Sequence, residues 1–508
     1  MNYQEAQTYL DSLQFHKIKL GLDSMRSFLA RVGHPEQRLR YVHVAGTNGK
    51  GSVSVTLLTL LAHAGYRVGL YTSPHLSSVR ERFRINDEFI SREKFAELAT
   101  RIKGVLGAEK ITYFEFTTAL ALLWFAESGL DLVILETGLG GRLDATNVVV
   151  PLVSVITNVT MDHEAYLGTT VAAVAAEKAG IVKDAVPVVA GVAADEGLDV
   201  VRRTCQERGA PLYLYGHDFN AEPDSDRLWS WLPVSGVMPG ERLDSLRCSM
   251  RGSYQIVNAS LALAVLALLR AHEFLLSPDI IRAGLAAVRW PGRLEHICLD
   301  RQSRAVVVQV QATDKDTICY LLDGAHNPAG VESLVLTLRQ EYEYKRLIVV
   351  WGAMLDKDLG NTLPLIAELA AILLLTRSEG ERAATPEQLL ENLDAETRKR
   401  CECIAQVDQA LARAEDLAEV GDLIVVAGSL YLIGAAQAPG AGAQRPGRSS
   451  ARGRWSRAVR TGPRCACRAR AVRRPEESWP SIRWSRTRPA AASGAKWCSS
   501  SRPWAACW

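Results

Sequence analysis

From about residue 40, short apolar runs alternate with longer stretches whose apolar positions recur at helical spacing. Tyr41–Ala45 is five residues with one polar member, which predicts a buried strand. The glycine-rich segment 46–52 reads as a tight loop, and 53–64 as a helix. The same alternation predicts strands at 67–71, Leu132–Glu136 and 153–158, with helices from Ser91, at 116–127 and at Val171–Ala179. Runs at 186–191 and 211–215 close the sheet. Residues 225–250 are patchy and predict small antiparallel strands, followed by a nearly all-apolar, buried helix over 254–271. The Trp290-Pro291-Gly292 break reads as a linker. A second set of strands follows at Thr317–Leu322, 346–351, 371–376 and Leu423–Ala427. Strand–helix alternation of this kind gives an α/β protein with a mostly parallel sheet. The expected organisation is two domains, 1–290 and 291–435, with a ligand cleft between them.

The chain has 508 residues, 48% hydrophobic and 23% charged, an ordinary globular balance. The longest clean apolar run, 259–269, is too short to cross a bilayer, and the first twenty residues lack the apolar core of a signal peptide. No membrane association and a cytoplasmic location are expected. The ten cysteines form no CxxC pair and read as reduced thiols.

The net charge of +3 hides two unlike pieces. Residues 437–508 hold 16 Lys+Arg against 2 Asp+Glu, with six of the eleven Trp; the remainder is net −11. A mildly acidic body argues against nucleic acid as its partner. The tail from 436 shows no helix or strand period, and its Arg, Pro, Ala, Gly, Trp and Cys content resembles out-of-frame translation of a GC-rich gene. It is expected to be disordered and without function. The rival reading makes it a basic nucleic-acid-binding extension.

The loop after the first strand carries the strongest chemical signal. A strand, a glycine-rich turn and a helix N-terminus aim backbone N–H groups at one point, where the helix dipole favours an anion. Gly46, Gly49 and Gly51 permit close backbone approach to a triphosphate, Lys50 supplies a cation, and Ser52 offers an oxygen to Mg²⁺. The spacing departs from the generic P-loop. Glu136 ends the strand Leu132–Glu136 and should face the same crevice, where a carboxylate beside phosphates serves as a Mg²⁺ ligand. Alone, such a residue could equally be a surface or capping group. His163, after 153–158, emerges at the same edge and could complete a metal site or simply be hydrogen-bonded in its loop. Spacing makes Lys178 an exposed, salt-bridged lysine.

Taken together, Gly46-Thr47-Asn48-Gly49-Lys50-Gly51-Ser52, the run Glu136 to Asn147, Asp162-His163, the run Glu177 to Ile181, Trp290 to Arg293, and Asp323 to Pro328 resemble the Mur-type ADP-forming amide ligases. More narrowly, they resemble the folylpolyglutamate synthase/dihydrofolate synthase family over residues 1–435. The resemblance implies a P-loop-type, mostly parallel ATPase domain followed by a smaller Rossmann-like glutamate-ligase domain. It implies ATP and two Mg²⁺ sites, with L-glutamate and dihydropteroate or folates as the other substrates, and a monomer. It assigns Thr47, Asn48, Gly49, Lys50, Gly51 and Ser52 to ATP, with Asn258, Arg293, Asp323 and His326 on the nucleotide's far side. Ser52, Ser73, Glu136 and His163 fall to the metal, and Lys178 matches a lysine carried as a carbamate. Lys50, Glu136, His163 and Lys178 would be the catalytic set. The pteroate would lie near Gly21, Leu22 and Asp23, Thr112, Tyr113, Phe114 and Glu115, and Leu143, Asp144 and Ala145. Another Mur-type ligase, joining amino acids to a cell-wall precursor, is the nearer alternative.

Overall fold

The first eight strands are β1 (Tyr41–Ala45), β2 (Val68–Tyr71), β3 (Phe83–Ile85), β4 (Glu88–Phe89), β5 (Leu132–Glu136), β6 (Val153–Ile156), β7 (Val188–Ala190) and β8 (Leu212–Leu214). They form one sheet in the order β4-β3-β2-β5-β1-β6-β7-β8. All neighbours are parallel except the β2–β3–β4 pairs at one edge. The protein is described here from a computed structural model covering residues 1–13, 21–224, 227–303, 306–307, 316–378, 380 and 382–437. The expectations for the basic tail concern 436–508, which from 438 onward lies outside the described residues.

Side chains alternate across the central strands as a pleat requires. Val42, Val44, Leu70 and Ile134 face the helices Lys50–His63, Ser253–Leu269 and Pro278–Ala287. Tyr41, Tyr71, Val133 and Leu135 face the helices Tyr3–Ser12, Asp23–Arg31, Arg92–Leu106 and Tyr113–Ala126. With both faces covered, the strands read as unbroken apolar runs.

The small antiparallel strands appear as β9 (Phe219–Pro223), β10 (Trp229–Pro233) and β11 (Leu243–Leu246). Buried Trp229 and Trp231 pack them against the helix Ser253–Leu269. With the turn that follows it, that helix spans Ser253–His272, long and apolar enough by composition to cross a membrane. The helix expected over 254–271 lies close to this observed span. Its apolarity is used internally, since Ala259, Leu261, Val265 and Leu269 sit in the core.

The third sheet contains β12 (Glu295–Asp300), β13 (Thr317–Leu322), β14 (Leu347–Trp351), β15 (Ile372–Leu375), β16 (Cys401–Cys403) and β17 (Leu423–Ala427). Its order is β12-β13-β17-β14-β15-β16, parallel apart from β12–β13. The β12 edge strand had no counterpart in the sequence reading. It brings a correction: Cys298 and Cys319 stand directly opposite on β12 and β13 and are joined as a disulfide. Twenty-one positions apart in sequence, they had no spacing signature, and only strand pairing brought their sulfurs together.

Loops and helices around the two large sheets meet at several points, among them Gly252, whose N–H donates to Glu341 at 3.1 Å, and Tyr254, which packs against the core of the third sheet. Leu76, in the loop after β2, packs against Ile433 and Gly292, and a Cβ on Gly434 would lie 2.1 Å from the Leu76 carbonyl oxygen. Only a glycine in the helix Leu430–Gln437 admits that approach.

Candidate active site

The loop between β1 and the helix Lys50–His63 is held by its neighbour β6. Thr47 N–H donates to the Asn158 carbonyl at 3.1 Å, and Asn48 N–H to Asn158 Oδ1 at 2.8 Å. Thr157 Oγ1 donates to the Asn48 carbonyl at 2.6 Å. Gly46 has φ 149°, and a Cβ there would fall 1.8 Å from Thr157 Oγ1. Gly49, at φ 84°, lies against Asn258, and Gly51 against the Trp290 indole. The helix starts at Lys50, three residues earlier than the apolar pattern suggested, because Gly49 supplies the left-handed turn that opens it. Lys50, Gly51 and Ser52 thus form the first turn, whose N–H groups lack intrahelical partners.

Lys50 Nζ folds back to donate to the Gly46 and Thr47 carbonyls at 2.9 and 3.0 Å. Burial lowers its pKa, while Glu136 and Asp162 act the other way. Glu136, at the carboxyl end of β5, is 4% exposed. Its Oε2 accepts from the Ser73 N–H at 3.2 Å. Burial pushes the Glu136 carboxyl up to about 7, against the pull of Lys50 and Arg293. Lys50, Glu136 and Ser73 therefore come from three adjacent strand ends, β1, β5 and β2, as expected for a parallel sheet.

Lys178 is not an exposed lysine. It is 3% exposed, at the end of the helix Val171–Ala179, and among the described residues no hydrogen-bond partner meets its Nζ. Burial, with Lys50 nearby, brings its pKa down to about 7. The neighbouring Glu177 takes the surface role instead, pairing with Arg142 at 2.7 Å.

His163 has a left-handed backbone, φ 52°, and burial lowers its pKa to about 4. Beside it is a cluster in which Lys357 is the member absent from the sequence reading. Asp162 accepts from Lys357 Nζ at 2.7 Å, and both side chains are about one-tenth exposed. Asn327 Nδ2 donates to Asp162 at 3.2 Å and to Asn48 Oδ1 at 3.1 Å. His326 Nε2 lies 3.9 Å from the same carboxylate. Burial would raise Asp162, but His163, Lys357 and His326 hold it well below the usual carboxylate range. Lys357 follows β14 and Asn327 follows β13, so this cluster joins the strand ends of the two sheets. The rule that ligands gather at carboxyl ends of parallel strands would have marked the loop after β14.

Other expected residues serve loops and caps in this structure. Asp144 accepts from Gly138 and Leu139 N–H through one oxygen and from Thr146 through the other. Thr112 and Glu115 cap the helix Tyr113–Ala126 reciprocally. The helix begins before the expected 116 for that reason. Tyr113 lies under the Arg82 guanidinium at 5.4 Å, and Phe114 packs near Tyr71 and Gly138. Arg82 also donates to His75 at 2.9 Å. Asp323 accepts from the Leu294 and Ala325 N–H groups, and Arg293 lies against Gly324. Asn258 donates to Gln255. Ser52 is buried. Gly21 and Leu22 precede the helix Asp23–Arg31, which Asp23 opens, and Leu143 and Ala145 flank Asp144 in its loop.

These two sheets and their facing strand ends have counterparts among known proteins. Residues 44–266 match the Mur ligase middle domain, and 306–430 the Mur ligase glutamate ligase domain. The dihydrofolate synthase/folylpolyglutamate synthase of Bacillus subtilis is 34% identical over 439 residues, 85% of this chain and 97% of the relative. The chain belongs to this family. It is therefore an ATP-dependent ligase of the Mur type. A structure of the E. coli family member with ADP and DHPP superposes with TM-score 0.74 at 32% identity, over 85% of this chain and 96% of that one. A bifunctional family member with Mn, AMPPNP and L-glutamate bound superposes with TM-score 0.73 at 31% identity, covering 85% and 97%.

Proposed function

We propose that this chain joins L-glutamate to dihydropteroate and to the γ-carboxyl of folate polyglutamates, as a cytoplasmic monomer, with ATP cleaved to ADP and phosphate. The observation that carries the reading is the meeting of Lys50, Glu136 and the Asp162–His163 pair at one crevice, facing Asn327 and Lys357 of the other sheet. A substrate carboxylate oxygen attacks the γ-phosphorus, the bond to ADP breaks, and an acyl phosphate forms. The glutamate amine then displaces phosphate and loses a proton. No covalent enzyme intermediate is required. What the chain contributes is positioning and charge.

In this reading the first helical turn and Lys50 cradle the triphosphate, and Lys50 offsets charge on the moving phosphoryl group. Asn258, Arg293, Asp323 and His326 border the nucleotide. The Tyr113–Phe114 segment packs against the pterin ring, beside Gly21–Asp23 and the Asp144 loop. Contact between the sheets excludes water from the acyl phosphate.

The residues fit Mg²⁺: a buried carboxylate held protonatable near neutrality gains from a cation, and Ser73, Ser52 and His163 supply further donors. The metal offsets phosphate charge when bound. Lys178 suits carbamate formation, because a buried amine titrating near 7 is largely unprotonated in mildly alkaline solution and can add CO₂ with loss of a proton. The product is an anion that could hold a second cation. Protein equilibrated with labelled bicarbonate should show one carbamate resonance, absent in Lys178→Arg.

The deciding assay follows ADP release and glutamate incorporation with dihydropteroate or tetrahydrofolate. Product from both supports the bifunctional reading; product from tetrahydrofolate alone removes the dihydropteroate half. Deletion of residues 437–508 should leave turnover intact; a nucleic-acid affinity that is lost with them, together with its salt dependence, would favour the tail-based alternative.

Glu136 also makes a pH prediction. Its folded pKa of about 7 exceeds the 4.5 of an ordinary glutamate carboxyl, so between these values the native state binds more protons than the unfolded one. Its contribution to metal-free stability is present below about 4.5 and fades as pH rises through about 7. Mg²⁺ with ADP needs the carboxylate, so the Tm gain from that pair should be larger at about pH 8 than at about pH 6. Glu136→Gln should flatten the difference. A parent gain independent of pH would count against Glu136 as a ligand.

A further inference from the structure

His296 and Cys298 are two positions apart on β12, so both side chains leave the same face, and Cys319 stands directly opposite Cys298 on β13. His296 Nε2 lies 3.7 Å from Cys298 Sγ. The donor atoms of all three lie within 4.8 Å of one another, the one such group of His, Cys, Asp or Glu side chains found among the described residues. The Tyr342 ring packs edge-on to the imidazole, with centroids 5.9 Å apart, which restricts its rotation. Cys298 is buried, while His296 and Cys319 are only partly covered, leaving solvent access on one side.

We propose that reduction of the Cys298–Cys319 disulfide converts this cluster into a binding site for a thiophilic divalent cation of the zinc class, held by His296, Cys298 and Cys319 with water as the fourth donor. A dithiol reductant performs the first step: its two electrons and two protons pass to the cystine, the Cys298–Cys319 bond breaks, and the reductant's own S–S bond forms. The cation then replaces the two thiol protons, giving a neutral two-thiolate, one-imidazole site. Tetrahedral Zn–S bonds of about 2.3 Å and Zn–N bonds of about 2.0–2.1 Å set sulfur and nitrogen about 3.6 Å apart, close to the 3.7 Å between His296 Nε2 and Cys298 Sγ, while the two sulfurs, bonded in the disulfide, must separate to about 3.8 Å once it is reduced. Two thiolates with an imidazole select soft cations over Mg²⁺, so the cluster does not duplicate the phosphate site. The disulfide and metal-bound forms are alternative states of one edge of the third sheet. That edge runs between Arg293, two residues before β12, and Asp323, the residue after β13.

The test uses the full-length chain, reduced with a dithiol, freed of reductant without air, and titrated with Co²⁺. Thiolate-to-cobalt charge-transfer absorption should saturate at one equivalent and vanish on adding Zn²⁺, and the oxidised chain should show none. Cys298→Ser and Cys319→Ser should abolish the band, whereas Cys401→Ser with Cys403→Ser should leave it. His296→Gln retains both cysteines and should weaken cobalt binding at least about tenfold, a result independent of whether the cysteine variants fold. No band in the reduced parent, a band surviving in the Cys298→Ser/Cys319→Ser variant, or unchanged affinity in His296→Gln would each overturn the proposal.

Discussion

Lys50→Ala should lower kcat/KM for glutamate-dependent ADP release by about 10²–10³, equivalent to about 2.7–4 kcal/mol of lost transition-state stabilisation. The amine is buried and braced on the Gly46 and Thr47 carbonyls, so it is pre-positioned and pays little reorganisation when phosphate charge develops. Lys50→Arg should not restore turnover, because a guanidinium cannot occupy the space of an ammonium held by two carbonyls 2.9–3.0 Å away. Circular dichroism should show both variants folded. Turnover of Lys50→Ala within about threefold of the parent would remove Lys50 from the phosphoryl-transfer machinery.

Lys357→Met should be the most costly change outside the phosphate loop. It strands the Asp162 carboxylate, which is about one-tenth exposed, and removing one partner of a buried pair costs about 3–5 kcal/mol. Asn327 and the two histidines remain beside Asp162, which places the expected loss near the lower bound. Because the pair joins elements of different sheets, the loss should fall on their docking and on kcat/KM more than on the unfolding of either sheet. A cycle of Lys357→Met, Asp162→Asn and the double variant should show coupling of about 0.5–3 kcal/mol, the double costing less than the sum. Additive effects would mean the contact contributes nothing to turnover.

Much of the phosphate loop was legible in one dimension, for a local reason. Gly46, Gly49 and Lys50 lie within five residues, and a strand, a glycine turn and a helix start each carry their own residue preferences. Glu136 was legible because a parallel sheet collects its carboxyl ends at one edge. Lys178 was misread from spacing, since the covering of the helix Val171–Ala179 by its neighbours has no signature within that helix. Lys357 was missed because its partner lies 195 positions away. The Cys298–Cys319 pair was missed because β12, a six-residue edge strand, mixes charged and apolar positions without a clean alternation.

The order of apolar runs, turn residues and glycine motifs by itself determined the two α/β layers, the anion-binding loop and the family likeness, because each depends on contacts between near neighbours in the chain. Only the tertiary structure decided which side chains lose water and which charges face one another. Burial brings Glu136 and Lys178 to about 7, and the meeting of β6 with β13 and β14 at their ends puts Lys357 on Asp162. Those are properties of the space between elements, where desolvation and Coulomb energy act without regard to distance along the chain.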